Sequence, residues 1–396
     1  MSARISKKDL ETWADYLLDY SLGGVESSDV VMLKGEPIAW PLLTVLQDKV
    51  FAAGGVADMN LVAPDNDRGK VWGASITRHG TVEQIARVPE WHRTRYEAMT
   101  KYVEVLGAES PELFAGIPDE TGQAVSRADE PFKMIRLLKP WVLTLFPTES
   151  FAKMEEMTLE QYAEVIVSAS TLDPRVLDEV ETPLHDAMGK SKTIRAVTQH
   201  PKTGKTLELT MNIGGRNIVK CTGKRNFPDG EVFTSPDART PEGEIFVDMP
   251  VFQGGALIQG VYLRFEGGVI REYSAEQGGE ALARIIETDD GSHRLGEVAL
   301  GMNAGIQEVL RHPLFVEKTG GTLHIAIGAS YPECFVGDPA SADGKAEDDG
   351  LAEKKILNRS AQHVDIVTDF RGGGTGREVW LDDTRLEVRD GIWVVP

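Results

Sequence analysis

The chain has 396 residues, with 62 Asp and Glu against 42 Lys and Arg and a formal net charge of −20. So acidic a surface repels phosphate backbones and anionic headgroups, which argues against nucleic acid and membrane surfaces as partners. A hydrophobic fraction of 41% supports buried cores, and two cysteines with no CxxC pair exclude a disulfide framework.

The length suits two or three domains of about 100–200 residues each. No apolar run reaches the roughly 18–20 residues of a membrane span. The opening MSARISKKDLETW lacks the apolar stretch of a secretion signal, so a cytoplasmic protein is expected.

The first element reads as a helix. Ser6 and Asp9 stand at capping-box spacing, and Leu10, Trp13, Ala14 and Leu17 recur at helical intervals until Gly23-Gly24. Val30–Leu33 then reads as a strand, Pro37 opens a helical turn, Leu42–Phe51 as a helix ending at Gly54-Gly55, and Asp58–Val62 as a second strand. Strand, helix and strand with short glycine joints make a βαβ unit, hence a parallel sheet. Trp141–Phe146 repeats the buried-strand signal, and Thr158 with Gln161 starts another helix. These elements predict an α/β N-terminal domain over 1–200.

Beyond residue 200 the pattern turns β-rich. Leu207–Ile213, Glu244–Val247, Ala256–Phe265 and Val269–Tyr273 read as strands, with Glu266-Gly267-Gly268 as a tight hairpin between the last two. Gly279–Ile286 and Met302–Leu310 read as helices. The whole predicts an α+β C-terminal domain over 201–396. Its acidic stretch 337–355 is nearly free of large apolar residues and reads as an exposed loop or insertion.

Of eight histidines, six (His79, His92, His185, His200, His293 and His312) have no partner at ligand spacing and read as incidental. The other two sit on strands whose alternation fixes their direction. In TLHIAIG, Leu323, Ile325 and Ile327 share one face and His324 takes the other; in QHVDIV, His363 and Asp365 share the face opposite Val364 and Ile366. An imidazole and a carboxylate two residues apart can converge on a cation, or can simply hydrogen-bond to each other.

Three glutamates bear on the choice. Glu231 ends FPDGE, Glu297 follows Leu295-Gly296, and Glu317 precedes His324 by seven residues. A buried carboxylate is expensive unless something positive lies beside it. Two histidines with four carboxylates exceed one tetrahedral zinc but suit two cations roughly 3.5–4 Å apart.

Other motifs carry less. GGGTGR at 372–377 lacks the lysine and hydroxyl residue of a phosphate loop and reads as a turn; there is no GxSxG elbow. Cys334 reads as a buried thiol, and Asn358-Arg359-Ser360 is a glycosylation sequon with no secretion signal to expose it.

The blocks FPDGEVFTSP (227–236), GEVALGMN (296–303), VEKTGGTLHIAIGASYPE (316–333) and HVD (363–365) resemble the thermophilic aminopeptidase family of metallopeptidases, the M29 group. The opening helix and SSDVVMLKGEP resemble its N-terminal domain more loosely. The resemblance implies a two-domain homodimer whose C-terminal domain is catalytic and metal-binding. Its ligands would be Glu231, Glu297, Glu317, His324, His363 and Asp365, holding two divalent cations (Zn, Co, Mn or Mg). Glu297 and Asp365 would bridge the cations, and a water shared between them would attack the first peptide bond of a peptide with a free N-terminus. Tyr331 matches the family's active-site tyrosine and would hydrogen-bond the developing oxyanion.

Three departures stand out. Val316 replaces the family's usual Asp before Glu317, Val364 replaces the Trp of HWD, and 337–355 is longer than the family norm. Ring-cleaving dioxygenases that resemble the same family supply an alternative: one iron on His324, His363 and Asp365. That triad leaves Glu231, Glu297 and Glu317 without a purpose. A binding protein that has lost turnover is a third possibility.

Overall fold

The computed structural model describes residues 4–62, 74–108, 119–253, 256–337, 341–372 and 376–396. It divides into two compact units, one of residues 1–174 and 223–228, the other of 175–222 and 229–396.

The first unit is built on a parallel five-stranded sheet, in the order Val56–Leu61, Val30–Gly35, Lys101–Leu106, Trp141–Leu145 and Asn226–Phe227. The helix Trp40–Ala52 crosses between the first two strands of the chain, as the βαβ reading expects. Ser6 Oγ caps the opening helix, which buries Leu10, Trp13 and Ala14. The Thr158–Gln161 capping box forms with both of its reciprocal bonds.

The second unit is mostly antiparallel. One sheet of eight strands contains Thr193–Gln199, Thr206–Asn212, Glu242–Val247, Ala256–Glu266 and Val269–Gln277. The hairpin at 266–269 turns through Gly267 and Gly268, both at positive φ as a two-residue primed turn requires. A second sheet runs in the order His363–Asp369, Thr322–Gly328, Leu295–Gly301, Glu231–Thr234 and Val219–Cys221. Between the two sheets lies one core, to which Ile245, Ile258, Leu263, Val298, Ile325 and Ile366 all contribute.

Three expectations change. The chain divides after Pro174 instead of at 200, because the helix Pro174–Lys190 packs Leu184 and Met188 into the second unit's core and Thr193–Gln199 pairs with strands there. Met302–Leu310 is not a helix. The Asn303 backbone N–H donates to Lys318 O, its side chain donates to Asp229 O at 2.6 Å, and its Oδ1 accepts from the Gly305 N–H, so the backbone bonds of a helix are diverted. The acidic stretch is exposed but not a loop: Ala342–Glu353 is a helix whose N-cap, Ser341, accepts from the Gly344 N–H. Within 337–355, residues 338–340 lie outside the described residues, as do 373–375 of the GGGTGR turn. Gly279–Ile286 is a helix as expected. No helix among the described residues is long and apolar enough to cross a membrane.

Candidate metal centre

The second sheet positions the candidate residues by alternation. Val298, Leu300, Leu323, Ile325, Ile327, Val364 and Ile366 enter the core, so the residues between them face the other way. Glu297, Ala326 and Asp365 are direct cross-strand neighbours in one row, and the methyl of Ala326 leaves open space between the two carboxylates. Phe233, Ala299 and His324 form the next row. Glu231 follows, opposite both Gly301 and Cys221.

Glu297 reaches its row through a register irregularity after Leu295. Gly296 makes that possible: a Cβ there would overlap the Ala329 carbonyl oxygen. Gly230, at φ 139°, similarly admits the Asn303 backbone beside Glu231.

The side chains then converge. His324 Nε2 lies 3.3 Å from Glu231 Oε2 and 3.8 Å from Glu297 Oε1. His363 Nε2 lies 3.0 Å from Glu297 Oε2 and 3.6 Å from Asp365 Oδ1. Ligand atoms of Glu231, Glu297 and His324 lie within 4.8 Å of one another, as do those of Glu297, His363 and Asp365. Glu297 belongs to both groups. His363 Nδ1 is held by the Ala329 carbonyl at 2.8 Å, which orients the ring with Nε2 toward the carboxylates.

Glu317 is placed differently from the strand-borne residues. It follows the short helix Pro313–Val316 and pairs with Lys318 at 2.8 Å while hydrogen-bonding toward Asp365. Val316 and Val364, the two departures from the family pattern, both lie in the core. Tyr331 stands at the rim, 36% exposed, its ring centroid 4.7 Å from that of His363 in an edge-on arrangement.

Burial grades across the site. The side chains of His324, Glu297 and Glu231 are 1%, 4% and 7% exposed, whereas Glu317, Asp365 and His363 reach 14%, 15% and 23%. The accessible end is therefore the one with His363, Asp365, Glu317 and Tyr331.

Electrostatics follow from that packing. Burial works against the charge on His324 and His363, yet contact with Glu297 and its neighbours pushes them up to about 9 and about 10. Glu297, also opposed by burial, is drawn down to about 2 by the same two imidazoles. Burial pushes Glu231 up to about 7 despite Lys318, and burial with the charges of Glu317 and Glu297 holds Asp365 well above the carboxylate range. The carboxylates thus draw positive charge onto the two histidines.

These residues fit a divalent cation. Glu231 Oε2, His324 Nδ1 and Asp365 Oδ1 are buried with no hydrogen-bond partner among the described residues. Carboxylate oxygens and imidazole nitrogens together suit zinc, cobalt or manganese.

Sequence patterns had not marked four neighbours. Lys318, 2% exposed, pairs with Glu231, with Glu317 at 2.8 Å and with Asp229 at 3.5 Å. Cys221 lies with Asp229 and Glu231 in a third group of potential ligands. Glu181, on the helix Pro174–Lys190, is fully buried beside Asp229 and Glu231. A signal for it was present, since Leu177, Glu181, Leu184 and Met188 lie on one apolar stripe of that helix.

The remaining motifs are structural. Asn358 is buried and its amide donates to the Gly291 and Gly328 carbonyls, and Cys334 is buried. His312 caps the helix Pro313–Val316 by accepting from the Leu314 N–H.

Residues 6–373 match the family model described as thermophilic metalloprotease (M29). The chain belongs to this family. Aminopeptidase T of Thermus aquaticus is 29% identical over 360 residues, covering 79% of this chain and 84% of its own. Aminopeptidase PepS of Streptococcus thermophilus is 26% identical, covering 80% of this chain and 83% of its own. Among solved structures, wild-type AmpT from Thermus thermophilus superposes with a TM-score of 0.76 at 22% identity, covering 98% of this chain and all of its own. The 2,5-dihydroxypyridine dioxygenase of Pseudomonas putida KT2440 reaches 0.56 at 11% identity, covering 99% of each chain, a likeness of fold alone. The mixed architecture, a parallel sheet followed by antiparallel ones, is that of the M29 relative.

Proposed function

We propose that this M29 metalloprotease is a two-metal aminopeptidase that removes the first residue of peptides with a free N-terminus. The observation that carries the reading is the position of Glu297, shared by two three-ligand groups on one sheet face. Glu231, Glu297 and His324 would hold one divalent cation, and Glu297, His363 and Asp365 the other. Glu317 supports the second group through Asp365.

The cations, when bound, activate water and polarise the scissile carbonyl. The protein supplies the rest. Glu297 holds both groups at a fixed separation, and the Ala329 carbonyl fixes the His363 ring. Glu317, whose carboxyl is held ionised at the accessible end, would attract the α-ammonium of a peptide and so favour substrates that begin there. Tyr331, whose ring packs beside His363 at that end, would donate its hydroxyl to the oxyanion that forms at the carbonyl. The same reading includes a cytoplasmic homodimer.

The test is hydrolysis of leucine p-nitroanilide after chelator stripping and reloading with cobalt or zinc. Activity should vanish on stripping and return near two metal equivalents. Inactivity with every metal across several aminoacyl anilides would sink the reading, and oxygen uptake with iron would favour the dioxygenase chemistry instead.

A further inference from the structure

Potential ligands run in a line through the second unit. Cys221, Asp229 and Glu231 form one group, Glu231, Glu297 and His324 the next, and Glu297, His363 and Asp365 the last. Consecutive groups share Glu231 and then Glu297. Ligand identity alone would allow a cation in each.

The first group differs in two respects. Lys318, 2% exposed, reaches into it, contacting Glu231, Glu317 and Asp229 at once. No other lysine or arginine is paired with Glu231, Glu297 or Asp365 among the ion pairs of the described residues. Beside it, Glu181 is 0% exposed, and neither carboxylate oxygen has a hydrogen-bond partner among the described residues. Of the charged groups around it, Asp229 and Glu231 act on it most strongly, so it is a third carboxylate beside the same group.

We infer that Lys318 is a built-in cation that fills a third metal compartment, formed by Cys221, Asp229, Glu231 and Glu181, and thereby confines metal loading to the histidine side of the sheet. The inference rests on the two-metal reading above. A divalent ion in that compartment would sit against the ammonium in a low-dielectric setting, where like charges repel strongly. Removal of the ammonium leaves at least three carboxylates without their cation. A borderline-soft divalent ion such as zinc or cobalt would then replace it, taking Cys221 as thiolate and releasing the thiol proton to solvent. Lys318 is on this account a positioning residue: it acts through Glu231 and Glu317, and it fixes how many metals the site takes.

The test compares metal content and cobalt spectra of the wild-type chain with those of Lys318→Met, Lys318→Gln and Lys318→Arg, each dialysed against excess cobalt. A cobalt–thiolate bond shows as a charge-transfer band in the near ultraviolet, which a merely structural loss would not create. Lys318→Met should bind one equivalent more than wild type and show the band, and the double variant Lys318→Met/Cys221→Ser should lose it. Lys318→Arg, which keeps the charge, should match wild type in both readouts. Lys318→Gln carries the same expectation as Lys318→Met and stands in for it if the methionine variant does not fold. No added metal and no band in the neutral variants would overturn the inference. So would a band in the wild-type chain that Cys221→Ser removes, a measurement that needs no Lys318 variant. Because the inference is read as a difference from wild type, a wild-type content other than two equivalents counts against the two-metal reading without deciding this one.

Discussion

His363 Nε2 lies 3.0 Å from Glu297 Oε2, although the two residues are 66 apart in sequence and on strands that are not neighbours. The strand between them contributes Ala326 at the crossing point, so the carboxylate and the imidazole meet over a methyl group. The other Glu297 oxygen faces His324 at 3.8 Å. One carboxylate therefore ties together both histidines of the site.

Glu297→Gln tests that role. The amide keeps the shape but loses the charge that both imidazoles and any shared cation require. Hydrolysis of leucine p-nitroanilide should fall at least about 10³-fold, roughly 4 kcal/mol of barrier. Bound metal should drop below wild type while the circular dichroism spectrum is retained. Full activity and full metal content in this variant would rule out Glu297 as a shared ligand.

Ala326→Leu probes the gap without touching a ligand. The longer side chain projects between Glu297 and Asp365, its cross-strand neighbours. Overpacking of this kind costs about 1–3 kcal/mol, so the fold should survive. Metal content and activity should both fall, the latter by about 10²-fold, roughly 2.7 kcal/mol of barrier. Unchanged metal content alongside an unchanged melting temperature would show that the space is not used.

How much of this was legible depended on locality. Alternation within TLHIAIG and QHVDIV is a property of five or six residues, so the facing of His324, His363 and Asp365 could be read directly and agrees with the core that Leu323, Ile325, Val364 and Ile366 build. Gly296 beside Glu297 and Gly230 beside Glu231 marked backbone that must pass close to another segment, though not which one. The domain division was not local: Pro174–Lys190 looks the same whether its apolar stripe serves the first unit or the second. Lys318 was hidden for a related reason. A lysine in VEKTGG reads as an ordinary surface charge until Asp229 and Glu231, from distant strands and turns, are brought beside it. The Met302–Leu310 segment misled because its apolar spacing is helical, while Asn303 spends its hydrogen bonds on Asp229 and Gly305.

Tyr331→Phe separates binding from chemistry. The ring remains against His363 and Phe233, so positioning of the strand end should hold. Loss of one hydroxyl donor to an oxyanion typically costs about 10²–10³ in turnover. A fall in kcat of about that size, with KM and metal content near wild type, is the expected result. A change confined to KM would make the tyrosine a substrate contact and leave the oxyanion without this donor.

Glu36 gives a pH dependence outside the metal centre. It lies at the end of the Val30–Gly35 strand, 1% exposed, with Oε1 lacking a hydrogen-bond partner among the described residues. Burial first, and then the charge of Glu104, push it from an ordinary 4.5 up to about 7. Below about 4.5 the carboxyl is protonated in both folded and unfolded chains and costs nothing. As pH rises through the interval, the unfolded chain releases the proton while the folded one keeps it, so stability is lost until about 7 and is constant above. The full penalty is about 3 kcal/mol. Glu36→Gln cannot ionise and retains an oxygen to accept the Gly107 N–H, so it should raise the unfolding midpoint by several degrees at pH 8 and leave it unchanged at pH 4. Thermal melts of both chains across that range decide it, and an equal shift at both pH values would assign the effect to packing instead of to the buried charge.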